Sequence, residues 1–189
     1  MFSPQLELTS LAQPIEPFLK KLLASLDLQY FSLAPQAQPQ YPNVEAYATL
    51  FAQQLKQTAA VIVDGNPLIP EPPTNDARLE FQKKWLAAPL TSHQMSSFDC
   101  HLVPGTGLYT VIVNGKVRFD ESGRSRLGET SDLVQPSTPV KPRPIWGPWF
   151  GFNLNLAVDE SVVSNSDAQT VNLFDYRITF KPQDSVVRI

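Results

Sequence analysis

The chain has 189 residues, a formal charge of -3 and a pI near 5.3. That is length enough for one sizeable core and too little positive charge for a global grip on a polyanion. Its single cysteine, Cys100, excludes an intrachain disulfide and a thiolate metal cluster, and between Phe98 and Leu102 it reads as a buried strand residue. No run of about 18 apolar residues predicts a membrane span, and the opening MFSPQLELTS lacks the basic n-region of a signal peptide, so an intracellular protein is expected.

Ile15, Phe18, Leu19, Leu22, Leu23 and Leu26 recur every three or four residues, which predicts an amphipathic helix over Pro14 to Leu26. Pro35, Pro39 and Pro42 make Asp27 to Asn43 a loose connector. Asn43 then caps a second helix over Val44 to Lys56, with Tyr47, Leu50, Phe51 and Leu55 as its stripe. The β-branched run from Thr58 to Val63 predicts a short strand, ended by the Asp64-Gly65-Asn66-Pro67 turn signal. A third helix starts at a Thr74 or Asn75 cap, turns Leu79, Trp85 and Leu86 inward, and stops before Pro89.

Past Pro89 the period changes from 3.6 to 2. Ser92 to Val103 reads as a long strand with His93 and Gln94 at its exposed beginning; Pro104 to Gly107 is a turn, and Leu108 to Phe119 returns. Asn114-Gly115 is compatible with a turn of its own or with a bulge or sharp bend. Phe150 to Asp159 and Thr170 to Lys181 complete the set of alternating segments. Three helices against one face of this sheet predict an α+β, cone-like domain over residues 1–189, in which the helices pack on a strongly curved antiparallel sheet.

The other sheet face is predicted to mix Ile112, Ala157 and Leu173 with Thr110, Asn114, Asn153, Asn155, Asp175 and Arg177. That composition suits a protein interface, with an ordinary wet sheet face as the bland alternative. Between Phe119 and Phe150 lies a polar connection far longer than a hairpin loop. The stretch from Lys116 to Pro144, which includes the end of the preceding strand, holds six basic and four acidic residues, net +2 inside an acidic chain. Such an arm suits non-specific phosphate contact, and charged loops are also often only solvated. Asp120 to Arg124 can instead be a turn whose carboxylates pair with Arg124 or Arg126. Pro142 and Pro144 deliver Trp146, Trp149 and Phe150 to the sheet edge as an anchor for the second root of the loop at about 120–145.

HLVPGTGLYTVIVNGKVRFDESGRSRLG, KPRPIWGPWFGFNLNLAVDE and YRITFKPQDSVVRI together resemble the small-subunit family of the fungal mRNA export receptor, the mRNA transport regulators, which are nuclear transport factor 2-like proteins. The resemblance is densest from Phe98 to Ile189. It implies a non-enzymatic chain that pairs by its sheet face with the nuclear transport factor 2-like domain of a large subunit. It further implies work at nuclear pores, contact with phenylalanine-glycine-repeat nucleoporins through the heterodimer, shuttling between nucleus and cytoplasm, and mRNA and pre-60S ribosomal subunits as cargo. On this reading Thr110, Ile112, Asn114, Asn153, Asn155, Asp175 and Arg177 form the partner interface, with Asp175 and Arg177 as candidates for charge pairing across it. Arg124, Arg126, Lys141 and Arg143 are the candidate RNA or ribosome contacts.

The same superfamily includes cavity enzymes, so a dehydratase- or isomerase-like enzyme or a small-molecule binder is the competing expectation. It needs an open cavity with convergent acid and base groups. His93, Asp99, His101 and Asp175 are the residues on offer, and Asp99 and His101 are expected to point away from such a cavity. The two histidines have no cysteine cluster beside them, so no metal site is expected, and Gly105, Gly107 and Gly115 are spaced as in hairpins rather than in a phosphate-binding loop, so no cofactor is expected either.

Overall fold

The apolar stripe of the first segment forms α1, Ile15–Leu26, burying Ile15, Phe18, Leu19, Leu22 and Leu26 completely. This computed structural model describes residues 14–31, 40–127 and 143–179. The helix ends where the Leu26 carbonyl accepts from the Trp85 indole, the Thr91 hydroxyl and the Arg126 guanidinium, so distant side chains satisfy a terminal acceptor that the helix leaves open.

The second helix is much shorter than expected. α2 spans Val44–Ala48, capped as predicted by Asn43, whose Oδ1 accepts from the Ala46 amide at 2.7 Å. Ala52 then takes a left-handed φ of 45°, which breaks the helix before the predicted Lys56. Tyr47 and Phe51 are still buried, and Gln82 donates to the Thr49 and Phe51 carbonyls that this early end exposes. β1 accordingly begins early and spans Leu55–Val63, followed by the two-residue β2, Asn66–Pro67. α3 spans Ala77–Ala87 with Asp76, rather than Thr74 or Asn75, as its N-cap. Phe81 and Trp85 stack within it at 5.4 Å and both are buried, whereas Leu79 and Leu86, expected inward, are only half-buried.

β3 (Thr91–Val103), β4 (Leu108–Phe119), β5 (Phe150–Asp159) and β6 (Val171–Thr179) follow, with a 3-10 turn at Glu160–Val163 before β6. The six strands form one sheet in the order β2-β1-β6-β5-β4-β3. Here the sequence-based picture needs correction. The sheet is open rather than a strongly curved cone, and it is mixed rather than antiparallel, because β1 runs parallel to β6. Its edges, β2 and β3, do not pair with each other. At its centre β4 and β5 stay in register from Leu108↔Asp159 to Val117↔Phe150 with no bulge to bend them sharply.

Gly115 sits inside that uninterrupted ladder, opposite Phe152. The irregularity lies on the neighbouring strand, between Met95 and Ser97. A Cβ at Gly115 would meet the Gln94 carbonyl and the Phe152 ring, so glycine here permits close approach rather than a turn. The inner face of the sheet carries Tyr109, Val111, Val113, Val117, Phe152, Leu154, Leu156, Val158, Phe174 and Tyr176, and all are buried.

Candidate functional site

With the inner face committed to the core, alternation puts the opposite residues of β4, β5 and β6 on one continuous outer face. Register aligns Asn114, Asn153 and Arg177 in one row and Ile112, Asn155 and Asp175 in the next; Thr110, Ala157 and Leu173 form the third. Asp99 and His101 of β3 join it beside Ile112 and Thr110, pointing away from the core, and they pair with each other at 3.0 Å. Ile112 stands 45% exposed in the middle of this surface.

Its polar groups are arranged rather than loose. Asn155 Nδ2 donates to Asn153 Oδ1 at 2.8 Å, and Asn153 Nδ2 donates to Asn114 Oδ1 at 2.9 Å, a ladder crossing two strands. Arg177 donates from Nε and an Nη to both carboxylate oxygens of Asp175 at 2.9 to 3.1 Å. The Asp175 carboxylate raises the Arg177 pKa further above its ordinary value. These two were expected to seek opposite charges across an interface; in this chain they serve each other, which leaves that end of the face nearly neutral.

The arm's two roots zip together before leaving the described residues. Asp120 bridges to Trp146, the Glu121 amide donates to the Ile145 carbonyl, and the Gly147 amide donates to the Phe119 carbonyl. The Asp120 carboxylate accepts from the amides of Ser122 and Ile145 and from the Ser122 hydroxyl. It therefore holds the root through two backbone amides and the Ser122 hydroxyl, and not through the alternative partners Arg124 or Arg126. Arg124 is half-buried and Arg143 exposed, and they line one small surface recess with Tyr30 and Phe31. Lys141 lies outside the described residues.

Arg126 contradicts its expected role outright. It is 2% exposed, donates to the Leu26 carbonyl and the Thr91 hydroxyl, and lies 5.2 Å over both the Phe51 and Trp85 rings. Buried among these internal groups, the guanidinium is out of reach of a phosphate, although its Nε has no hydrogen-bond partner. Trp146 and Trp149, expected as anchors, both lie against the Arg118 guanidinium, at 4.8 and 4.6 Å. Phe150 packs on Phe119 with ring centres 6.0 Å apart.

The family profile described as "Nuclear pore RNA shuttling protein Mtr2" matches residues 9–189. The chain belongs to the Mtr2 family. It is 51% identical to the mRNA transport regulator MTR2 of Candida albicans over 181 residues, covering 94% of this chain and 97% of that one. Against the Saccharomyces cerevisiae MTR2 it is 38% identical over 109 residues, 52% of this chain and 59% of that one. A chain in the crystal structure of the C. albicans Mtr2-Mex67 M domain complex superposes with a TM-score of 0.76 at 52% identity, covering 91% of this chain and 98% of that one. A nuclear transport factor 2-like superfamily protein from Salmonella, 9% identical with a TM-score of 0.51, shares the fold alone.

The space where nuclear transport factor 2-like enzymes would need a cavity is occupied in this Mtr2-family chain. Phe81, Trp85, Phe152, Phe174 and Tyr176 pack ring to ring there. His93, expected at an exposed strand end, is in that interior with its side chain 1% exposed. Its Nδ1 lies 2.6 Å from Asp27 Oδ1 and its Nε2 2.8 Å from the Tyr176 hydroxyl. Through its two ring nitrogens His93 thus bridges the Asp27 carboxylate and the Tyr176 hydroxyl. Asp27 also accepts from the Thr91 hydroxyl and the His93 amide, so the cluster ties the end of α1 to β3 and β6. Among the described residues no group of three or more His, Cys, Asp or Glu is placed to hold a metal ion.

Sequence reasoning placed His93 and Arg126 at the surface, because polar residue type alone predicts exposure, and it did not single out Asp27. One signal was available: Asp27 follows directly on the apolar stripe of α1, where an acid has no favourable interaction with the helix dipole. The same interior gives a pH prediction. Burial pushes the Tyr47 phenol up to about 12, offset in part by Arg126, and burial with the charges of Asp27 and Asp64 pushes Tyr176 up as well. A phenol raised above its unfolded value near 10 adds stability that is complete below pH ~10 and is lost as pH climbs through the folded value. Unfolding midpoints should therefore take no slope from these groups between pH 7 and 9 and fall above pH ~10. In a Tyr47→Phe, Tyr176→Phe double variant that alkaline fall should be shallower.

Proposed function

We propose that this chain is the small, non-enzymatic subunit of a heterodimeric mRNA export receptor. Residues 1–189 act as one nuclear transport factor 2-like domain, and Thr110, Ile112, Asn114, Asn153, Asn155, Asp175 and Arg177 meet the corresponding domain of a Mex67-type large subunit. The observation that carries the reading is the outer sheet face, a surface with an exposed Ile112 at its centre and ordered asparagines around it. It occurs in a chain 52% identical to one crystallised in a complex with the Mex67 M domain. A moderately apolar centre with pairable polar groups is how protein interfaces are built.

The heterodimer works in the nucleus and at nuclear pores, shuttles to the cytoplasm, meets phenylalanine-glycine-repeat nucleoporins, and carries mRNA and pre-60S particles. In this chain the loop at about 120–145 is the cargo arm, with Arg124, Lys141 and Arg143 as its phosphate contacts and Trp146, Trp149 and Phe150 anchoring its return. Co-purification with the large subunit's nuclear transport factor 2-like domain tests the pairing, and a stoichiometric complex is expected. An Arg124→Ala, Lys141→Ala, Arg143→Ala triple variant should keep that complex while losing RNA affinity several-fold at low salt, with a shallower salt dependence. Equal RNA binding by the triple variant makes the arm passive.

A further inference from the structure

The outer row of β4 runs through Thr110, Ile112, Asn114, Lys116 and Arg118, and its last member is held unlike the rest. The Arg118 guanidinium lies over both Trp146 and Trp149, and its Nε, buried, has no hydrogen-bond acceptor. Two aromatic faces, each within the range of a cation–π contact, hold this group in place of a carboxylate. Among the described residues neither Arg118 nor Lys116 has an acid within ion-pair distance. Gly147, between the two tryptophans in sequence, lies so close to the Glu121 side chain that a Cβ would collide with it, which fixes the path of the chain that delivers Trp149. Even so, Trp149 remains 40% exposed.

A rigid indole that stays exposed at the end of an interface-like row is a preorganised anchor, because little side-chain freedom remains to be lost on binding. We propose that Trp149, positioned by Arg118, is the anchor by which the large subunit grips this end of the outer face, and that the partner places an acidic group against Lys116. The proposal rests on the heterodimer reading above and adds an end point to it. Continuity favours a protein here over a nucleic-acid base, since Trp149 extends the row that contains Ile112. The charge also indicates direction. The Asp99–His101 and Asp175–Arg177 pairs are internally matched, so Lys116 and Arg118 leave this end as the positive one.

The experiment titrates the full-length chain with the large subunit's nuclear transport factor 2-like domain by calorimetry. Trp149→Ala should weaken binding about 30-fold or more, as loss of an interface hot spot does, with Trp149→Phe recovering part of it. Lys116→Glu, a change at an exposed side chain, should weaken it several-fold and more strongly at low salt. The emission difference between the wild type and Trp149→Phe should shift to the blue on complex formation, a readout that a purely structural role for Trp149 would not produce. Wild-type binding with Trp149→Ala and Lys116→Glu unchanged overturns the anchor and leaves the heterodimer reading standing. Absence of wild-type binding overturns both. Loss of RNA affinity alone in Trp149→Ala overturns the anchor in favour of a base-stacking surface.

Discussion

Replacing Arg126 with alanine is expected to lower the unfolding midpoint of the free chain by about 6–12 °C, from a loss of about 3 kcal/mol at roughly 2–4 °C per kcal/mol for a chain of this size. The guanidinium fills the gap between the Phe51 and Trp85 rings and is one of three donors to the Leu26 carbonyl at the end of α1. Trp85 and Thr91 would still serve that carbonyl in the variant, so the largest part of the loss is the vacated volume and the aromatic contacts. Arg126→Lys should recover little, because an ammonium lacks the planar surface that stacks on both rings. Arg126→Met restores length and apolar contact without the charge, and should recover more than lysine does. Thermal melts followed by circular dichroism separate these cases; a drop of less than about 2 °C for Arg126→Ala would show that the buried guanidinium is dispensable. Its place in the core also changes how the arm is understood. Loop residue Arg126 is a peg that fixes the first root to α1, with Arg124 beside it left on the surface side.

That peg marks the limit of what residue pattern reveals. The boundaries of β4 and β5 and the sorting of Val111 and Val113 against Thr110, Ile112 and Asn114 were legible, because a half-buried strand writes its two faces directly into a period of two. α1 was legible for the same reason at 3.6. The second helix was overextended since Leu50, Phe51 and Leu55 continue a helical spacing, while the left-handed Ala52 and the Gln82 bonds that end the helix are tertiary. The parallel pairing of β1 with β6 joins segments more than a hundred residues apart, and no local signal encodes it. Openness of the sheet follows from that pairing and from which strands become edges. At the candidate interface the residues were found on one face as expected, yet the internal Asp175–Arg177 bond was not foreseeable from type, since residues two apart on a strand share a face without having to touch.

The internal bond also ranks the interface residues. Reversing Arg177 would first break a bidentate pair within this chain, so any change in partner affinity would mix two causes. Ile112 carries no such ambiguity: it is 45% exposed, at the centre of the face, flanked in register by Asp99 on β3 and Asn155 on β5. Ile112→Arg should therefore leave the melting temperature of the free chain nearly unchanged, as surface substitutions do. Against the large subunit it should weaken binding by at least about 100-fold. Because Ile112 is only 45% exposed in the free chain, loss of its remaining apolar burial contributes about 1 kcal/mol, and an unmatched charge in the desolvated centre adds several more. The neighbouring Asp99 is a test of that second part, because it lies within reach of a new guanidinium and is otherwise shared with His101. Adding Asp99→Ala to Ile112→Arg should make the defect worse if the face is buried against a partner, whereas at a surface that remains wet both variants should bind like the wild type.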